Sequence, residues 1–216
     1  MDRFTYYRMG LKELETIKKE GLKPTLLLHS CCAPCNSYPV ELLSQYFDLT
    51  LYFNNSNIYP EEEFERRLEE LKSYINYFNM ANKCNIQIIV PPYDENNYRK
   101  NLTYLKDEKE GGKRCKYCYA TRMKEAYDFA SKNSFDYFTT VMTISRQKSS
   151  IILNEIGIKL SKLFPKTKYL ISDFKKGGGI DKGLEIAKMH NMYRQDYCGC
   201  YYSYLNEENK KKNKSD

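Results

Sequence analysis

The chain contains no tryptophan, only two histidines, and no apolar run near the ~18 consecutive residues that a membrane-spanning helix needs. The scarcity of histidine disfavours metal sites built on imidazole. The first 25 residues also lack the apolar core of a secretory signal, because Glu13, Glu15 and Glu20 interrupt them. These absences argue against exported and transmembrane proteins, and we expect a cytoplasmic protein with no membrane partner.

The chain contains eight cysteines but only two histidines. Without an export signal, this many cysteines favour metal binding or redox chemistry over a structural disulfide framework. The 35 lysines and arginines exceed the 28 acidic residues by 7, a net charge that suits a polyanionic partner but is also common among soluble proteins. The 21 tyrosines offer aromatic surface for packing or for stacking against bases.

Strand-like and helical patterns alternate along most of the chain. Strands are predicted at Thr25–His29, Leu49–Phe53, Asn85–Val90, Tyr137–Val141 and Tyr169–Ser172. Helices are predicted between and after them at Ser37–Phe47, Glu61–Met80, Cys118–Lys132, Gln147–Leu163 and Asp181–Met192. This order predicts an α/β fold, an open and mostly parallel five-stranded sheet with helices on both faces. Functional sites in such sheets form at the carboxyl ends of the strands, near the point where strand order reverses.

Three segments are expected along the chain. Residues 1–24 form an N-terminal helical extension, in which a helix over Arg3–Glu20 ends at Gly21. Residues 25–205 form the α/β domain. Residues 206–216 have no apolar side chain and are expected to be a disordered tail.

Two cysteine groups lie in loops that follow predicted strands. Cys115 and Cys118 form a C-x₂-C knuckle, a spacing open to zinc, to an iron–sulfur cluster or to a thiol–disulfide pair. The basic residues at positions 113, 114 and 116 are expected to lower the thiol pKa values. Cys31 and Cys32 do not readily bridge each other but can point to one centre. Together these make four thiolates, the number that a [4Fe–4S] cluster or a tetrahedral zinc ion needs.

A third group, Cys198-Gly199-Cys200, is left over after those four. A disulfide across one intervening residue closes a strained ring, and strain makes such a bond labile and suited to thiol exchange. This pair is therefore a candidate two-electron switch beside the four thiolates, although further metal ligands or inert thiols are also consistent with the spacing. Cys84 stands alone and is expected to be a small buried apolar residue.

Four motifs resemble one family. They are HSCCAPC at His29–Cys35, FNNSNIYPEEEFERR at Phe53–Arg67, RCKYCYATRM at Arg114–Met123 and YCGCYYS at Tyr197–Ser203. In this order they resemble the epoxyqueuosine reductases of the QueH type. The resemblance implies reduction of epoxyqueuosine to queuosine at the wobble base of tRNA, the last step of queuosine biosynthesis. It also implies a [4Fe–4S] cluster, no cobalamin and an electron donor whose identity is not specified.

The resemblance also implies roles for single residues. Cys31, Cys32, Cys115 and Cys118 match the cluster ligands, and the pair at 198 and 200 matches the redox-active disulfide. Residues 25–205 then form the metallocluster reductase domain. The family is thought to hold an additional mononuclear iron next to the cluster. Cys35 is a possible ligand of that iron, because it projects from the same loop as the first cluster pair.

The start of the chain resembles the nucleotide alpha-hydrolase fold of PP-loop enzymes that thiolate tRNA. Those enzymes place a Ser-Gly-Gly phosphate loop after the first strand, whereas this chain has Ser30, Cys31 and Cys32 there. Gly177–Gly179 also does not match a nucleotide-binding fingerprint. We therefore expect metal chemistry at this position and no use of ATP.

Epoxide reduction needs a proton donor, and tRNA binding needs basic and aromatic side chains. The candidate donors are Tyr197, Asp196, Asp173 and His29. Candidate phosphate contacts are Arg66, Arg67, Arg99, Lys100, Lys113, Arg114, Arg146, Lys148, Lys175 and Lys176. Candidate stacking residues for an unstacked wobble base are Tyr59, Tyr117 and Tyr119.

Two other functions are consistent with parts of the pattern. A non-catalytic RNA-binding module could hold a structural zinc ion on the same four cysteines, and it would be colourless. A tRNA sulfurtransferase that uses a cysteine persulfide would need ATP and a phosphate loop, which the sequence does not contain.

Overall fold

The computed structural model describes residue 2 and residues 4–215, and its centre is one sheet of five parallel strands. The strands are β1 (Thr25–His29), β2 (Asp48–Tyr52), β3 (Gln87–Ile89), β4 (Tyr137–Thr140) and β5 (Lys168–Tyr169). Their order across the sheet is β3-β2-β1-β4-β5. Every neighbouring pair is parallel. The predicted α/β class is therefore confirmed, whereas the closer likeness to PP-loop enzymes stays a prediction.

Eight α-helices surround the sheet within the described residues. They are α1 (Thr5–Glu20), α2 (Ala33–Leu43), α3 (Glu61–Asn82), α4 (Glu95–Lys100), α5 (Lys113–Lys132), α6 (Ser150–Ser161), α7 (Gly179–Met189) and α8 (Tyr201–Ser215). No helix among these combines the length and the apolar character that crossing a membrane requires. The predicted start of the first helix at Arg3 lies outside the described residues.

The apolar run of β1 reflects a strand that is covered on both faces. Leu26 and Leu28 face a core that α1, α2, α3 and α7 also line, whereas Leu27 faces a second core under α5 and α6. All three side chains are buried. Because successive strand residues point to opposite faces, only an uninterrupted apolar segment fits a strand in this position.

Two of the helices that begin earlier than predicted contain cysteines in their first turns. Helix α2 begins at Ala33, with a proline in its first turn, so Cys35 lies on a helix. Proline is tolerated there because the first turn of a helix has no intrahelical partner for its N–H groups. Helix α5 begins at Lys113, so the C-x₂-C knuckle lies in its first turns. Thiols in first turns face the positive end of the helix dipole.

The tail was expected to be disordered, and the structure differs. Helix α8 continues through residue 206 to Ser215, and only Asp216 of the predicted tail lies outside the described residues. Ion pairs between Glu207 and Lys210 and between Glu208 and Lys211, three residues apart, support the helix on its exposed side. Its first turn contributes Ser203, which is buried, so tertiary contacts extend the helix into the polar segment.

Helix α1 packs against the domain as part of its core. Leu14 and Ile17 are buried in the core cluster that contains β1. Gly10 lies where α1 approaches the segment after β5, and a Cβ atom there would be 2.5 Å from the carbonyl oxygen of Ile171. The close approach therefore requires glycine.

Gly10→Ala is expected to lower the free energy of unfolding by about 1–3 kcal/mol, because the added methyl group meets a backbone atom that cannot rotate away. Urea unfolding of the two proteins measures this difference. Lys12→Ala, on the exposed side of the same helix, is the control and should change stability by less than about 0.5 kcal/mol. Equal stability of Gly10→Ala and the parent protein would show that α1 is not packed as described.

Candidate metal centre

The sheet order places one crevice at the carboxyl edge. The chain leaves β1 toward β2 on one side and reaches β4 on the other, so the loops after β1 and β4 diverge. The loop after β1 contains Cys31 and Cys32, and the loop after β4 contains Ser145 and Lys148. Both loops line one cavity of about 260 Å³. Parallel strands also bring the segment after β3, which leads to Cys115, to this same edge.

Three thiols converge at the start of α2. The Sγ atoms of Cys31, Cys32 and Cys35 all lie within 4.8 Å of one another, and no other potential metal ligand of the described residues joins this group. From the sequence, Cys35 was assigned to a different metal from Cys31 and Cys32. It was not predicted that a helix begins at Ala33 and turns Cys35 toward the other two cysteines.

Backbone and side-chain hydrogen bonds fix the loop that carries these thiols. The carbonyl oxygen of Cys32 accepts hydrogen bonds from the backbone N–H groups of Cys35 (3.1 Å) and Asn36 (3.2 Å). It also accepts one from Asn36 Nδ2 at 2.8 Å. Asn36 in turn accepts from Ser30 Oγ at 2.8 Å. Asn36 and Ser30 are buried, so this network holds the loop in one conformation.

The three thiols have different proton affinities. Hydrogen bonds from Cys31 and Cys35, together with the Arg67 guanidinium, hold the pKa of Cys32 well below its ordinary value. Gln195 Nε2 also donates to Cys32 Sγ at 3.4 Å. Hydrogen bonds with Cys31 and Cys32, together with burial, raise the pKa of Cys35. One thiolate is thus formed readily in this group, and a metal ion must displace the protons of the other two.

Cys115 and Cys118 lie outside the 4.8 Å group. The backbone N–H of Gly111 donates to Cys115 Sγ at 3.2 Å. Burial raises the pKa of Cys115 and, opposed by Arg122, that of Cys118. The expectation that neighbouring basic residues lower these pKa values is therefore wrong, because desolvation outweighs the nearby charges and Lys113 and Lys116 are exposed to water.

The Cys-Gly-Cys segment lies against the same cavity. Cys198 lines it, and Cys198 and Cys200 are both free thiols. Gly199 has φ of 122° and its Cβ position would lie 2.9 Å from Arg67 Nη1, so glycine is required for both conformation and space. Arg67 Nη1 donates to the carbonyl oxygen of Cys198 at 3.3 Å. Arg67 therefore links this segment to the first thiol group.

The side chain of Arg122 connects the remaining parts of the site. It is 4% exposed, and its Nε donates to the carbonyl oxygen of Asn54 at 3.2 Å. Its Nη2 donates to Asn55 Oδ1 and lies 3.3 Å from His29 Nε2. Burial lowers the pKa of Arg122, but electrostatic interactions with the side chains of Cys118, Tyr98, Cys31 and Cys198 outweigh it and raise the pKa overall. The guanidinium is thus a fixed positive charge among all three cysteine groups.

His29 is a structural residue of this site. Burial, together with the Arg122 guanidinium, lowers the pKa of His29 to about 3. Its Nδ1 lies 3.0 Å from Thr140 Oγ1, which ties β1 to β4. A neutral imidazole cannot serve as the acid for epoxide opening near neutral pH.

The metal-free protein is expected to lose stability as pH falls from 6.5 towards 3. The unfolded chain binds a proton at His29 below its ordinary pKa of 6.5, whereas the folded chain binds it only near 3. Between pH 7 and pH 4 this costs about 3 kcal/mol. Urea unfolding of the parent protein and of His29→Asn measures the cost, because every other group titrates in both. Parallel stability profiles for the two proteins would contradict the buried neutral histidine.

Several residues of the cavity escaped the sequence analysis. They are Asn55, Asn57, Arg122, Met142, Gln147 and Gln195. Arg122, Asn55 and Asn57 lie inside two of the four family motifs, which was the available signal. Their contacts with the cavity could not be read from the sequence. Asn57 is buried, and its Oδ1 has no hydrogen-bond partner among residues 2 and 4–215, which leaves it for a bound group to satisfy.

Three of the predicted RNA contacts have other roles. Arg67 is 2% exposed and pairs with Glu63 at 2.7 Å. Arg114 is buried, donates to the carbonyl oxygens of residues 105 and 106, and stacks on the Tyr202 ring at 4.2 Å. Lys148 lines the cavity, where burial lowers its pKa but electrostatic interactions with the side chains of Cys198, Tyr119 and Cys31 raise it overall. Of the four predicted proton donors, only Asp196 and Tyr197 line the cavity.

The residues fit a thiophilic metal group. Three convergent sulfur atoms, one buried and two partly buried, offer the soft ligands that zinc ions and iron–sulfur clusters prefer. Guanidinium groups at 67 and 122 can balance the negative charge of several thiolates. A partly buried group of three thiols at the switch point of an α/β sheet, flanked by these cations and by a second pair of thiols, is consistent with a metal-binding redox protein.

Similarity to known proteins identifies the family within this class. The family model described as epoxyqueuosine reductase QueH matches residues 26–206. Epoxyqueuosine reductase QueH of Streptococcus pyogenes is 38% identical over 201 residues, covering 93% of this chain and 78% of the relative. The protein of that name from Staphylococcus aureus is 36% identical, covering 95% and 86%. That from Thermotoga maritima is 31% identical, covering 86% and 93%. The chain belongs to the QueH family of epoxyqueuosine reductases, which are oxidoreductases.

Proposed function

We propose that this chain reduces epoxyqueuosine to queuosine at the wobble position of tRNA with a [4Fe–4S] cluster and a redox-active cysteine pair. The observation that carries the proposal is the convergence of the three sulfur atoms of Cys31, Cys32 and Cys35 beside a cavity that Cys198 also lines. The reduced thiols and the tRNA substrate suit the cytoplasm, where thiols are kept reduced.

Four cysteines would hold the cluster: Cys31, Cys32, Cys115 and Cys118. The first two come from the loop after β1, and the other two from the first turns of α5 at the same edge of the sheet. Cys35 is then available as a ligand of an additional mononuclear iron. When bound, the cluster supplies single electrons at a site lined by thiolate ligands.

The cysteine pair at 198 and 200 would store the electrons that the reaction consumes. Reduction of an epoxide to an alkene takes two electrons and two protons, and the oxygen atom leaves as water. Oxidation of two thiols to a disulfide releases two electrons and two protons. One turnover therefore balances against one disulfide, and an external donor must reduce that disulfide before the next turnover. This account uses no cobalamin and no ATP.

The side chains around the cavity have separate tasks in this proposal. The guanidinium groups of Arg67 and Arg122 stabilise the thiolates electrostatically. Both groups are buried, so water does not screen their charges. Asp196 and Tyr197 are close enough to the cavity to deliver the proton that the departing oxygen needs. Burial raises the pKa of Tyr197, and its hydroxyl donates to the carbonyl oxygen of Tyr59 at 2.6 Å, so this phenol releases its proton less readily than an exposed tyrosine. Asn57 offers its unpaired amide oxygen to a hydrogen-bond donor of the substrate.

The proposal is tested by incubating anaerobically purified protein with tRNA that contains epoxyqueuosine and a chemical reductant. Mass spectrometry of the digested tRNA should show that the modified nucleoside loses one oxygen atom. A colourless protein that binds tRNA, contains zinc and leaves the nucleoside unchanged would support a structural zinc module instead.

A further inference from the structure

A second cavity lies next to the metal centre on its outer side. It has a volume of about 140 Å³ and is called the Tyr117 cleft here. Its lining combines two aromatic rings, Tyr98 and Tyr117, and Leu102 with polar and acidic side chains, which are Ser56, Asp94, Asn97, Asn101, Thr121 and Glu125. A cavity of about 150 Å³ is large enough for a benzene ring, so the cleft can hold one six-membered ring.

The cleft and the main cavity share their walls. Ser56 lines the cleft, whereas its neighbours Asn55 and Asn57 line the main cavity. On the other wall, Tyr98 lines the cleft and its hydroxyl donates to the carbonyl oxygen of Cys118 at 3.4 Å. One thickness of chain therefore separates the two cavities.

Two amide side chains of the cleft are free to bind a ligand, whereas Ser56, Asp94 and Glu125 already accept hydrogen bonds from other residues. The side-chain amides of Asn97 and Asn101 form no hydrogen bond with any other described residue, and both residues are exposed. An amide offers both a donor and an acceptor, the pair of functions that the edge of a nucleobase requires.

An exposed aromatic surface stands at the same place. Tyr117 is 43% exposed and Tyr104 is 70% exposed, and their ring centroids are 6.2 Å apart. Exposed tyrosines beside a polar cleft provide a stacking surface for an unstacked base. Lys100, Lys116 and Lys124 are exposed and each directly precedes a residue that lines the cleft, so phosphates can be neutralised at its margin.

We propose that the Tyr117 cleft binds the pyrimidine base of a nucleotide next to the wobble nucleotide, stacked on Tyr117 and hydrogen-bonded by Asn97 and Asn101. The inference rests on the proposed function, which brings the wobble base into the main cavity. A base that enters that cavity must leave its stack, and the sugar–phosphate chain then carries its neighbour across the wall at Ser56. The cleft volume selects a single-ring base, so this subsite contributes to the choice of tRNA.

A double-mutant cycle tests the subsite with the cluster-containing protein. The probes are an anticodon stem–loop RNA that carries epoxyqueuosine and the same RNA with an abasic site on either side of the wobble nucleotide. For the parent protein, one of the two abasic sites should weaken binding about 10-fold. Tyr117→Ala should bind the intact RNA about 10-fold more weakly, and the same abasic site should cause no further loss. Tyr117→Phe keeps the ring and should retain most of the binding.

Two further variants keep the interpretation clear. Tyr117 lies between two proposed cluster ligands, so the double variant Asn97→Ala/Asn101→Ala tests the cleft without touching the cysteine motif. It should also lose most of the sensitivity to the abasic site. Tyr77→Ala removes a ring that is 54% exposed, somewhat more than Tyr117, from the distant part of α3 and should keep the full abasic effect.

Independent, additive losses from the abasic sites and from both cleft variants would overturn the subsite. Turnover of the intact RNA distinguishes a failure of the proposed function from a failure of the subsite. A parent protein that binds the RNA but never reduces epoxyqueuosine would contradict the proposed function. Normal turnover without coupling between the cleft and a neighbouring base would contradict the subsite alone.

Discussion

Replacing Cys115 and Cys118 together by serine is expected to yield a folded, colourless protein without measurable turnover. Both residues lie in the first turns of α5, where serine is compatible with the helix, so the fold should survive. Loss of two cluster ligands should remove the visible absorption of sulfur-to-iron charge transfer. Changes to outer-shell partners of metal sites already cost about 10–100-fold in activity, so loss of two ligands should cost more than about 100-fold.

The matched control for this variant is Cys84→Ser. Cys84 follows α3, and its Sγ contacts Asn79 Oδ1 at 3.2 Å, away from the cavity-lining residues. This variant should be brown and fully active. A Cys115→Ser/Cys118→Ser protein that binds as much iron as the parent protein would show that the two cysteine groups do not share one cluster.

Replacing Cys198 by serine is expected to separate the cluster from the electron store. The variant should keep its cluster absorption, because neither member of this pair is a proposed ligand. Reduced protein without further reductant should convert less than about one-tenth of the substrate that the reduced parent protein converts, since one of the two stored thiols is missing. Rapid quenching followed by mass spectrometry of the tRNA measures this single-turnover yield.

Cys200→Ser is the internal control, because a disulfide needs both partners. The two single variants should therefore lose the same fraction of the single-turnover yield. If Cys198→Ser matches the parent protein both with dithionite and as pre-reduced protein, the pair has no catalytic part.

The central strands could be predicted because their sequence is constrained from both faces of the sheet. Thr25–His29 was predicted with its observed bounds, since a continuous apolar run fits only a strand that is covered twice. The edge strands were predicted too long. Gln87–Ile89 and Lys168–Tyr169 each pair with one neighbour, so fewer residues meet the hydrogen-bond pattern of a strand.

The placement of the thiols was predictable only in part. The topology rule brought the loops after β1 and β3 to one edge of the sheet, and the structure agrees. The approach of Cys35 to Cys31 and Cys32 depends on a helix that begins at Ala33. Its N-cap residue, Cys32, has no capping side-chain hydrogen bond, so the proline in the first turn was the main local sign of this start.

The buried arginines could not be recognised from the sequence. Arg67 and Arg66 are neighbours in the same helix, yet only Arg66 is exposed, with its guanidinium 3.5 Å from the centre of the Tyr193 ring. Which of the two faces the cavity depends on how α3 is rotated against the sheet. The positive charge of Arg67 therefore suggested a phosphate contact. In the structure this residue is a buried counter-charge for thiolates.

Iron and acid-labile sulfide analysis of anaerobically purified protein, combined with Mössbauer spectroscopy, tests the central claim most directly. The account predicts four sulfides per chain, at least four iron atoms, and the spectrum of a [4Fe–4S] cluster. Stoichiometric zinc with no sulfide and no iron, in protein that was never exposed to oxygen, would contradict it.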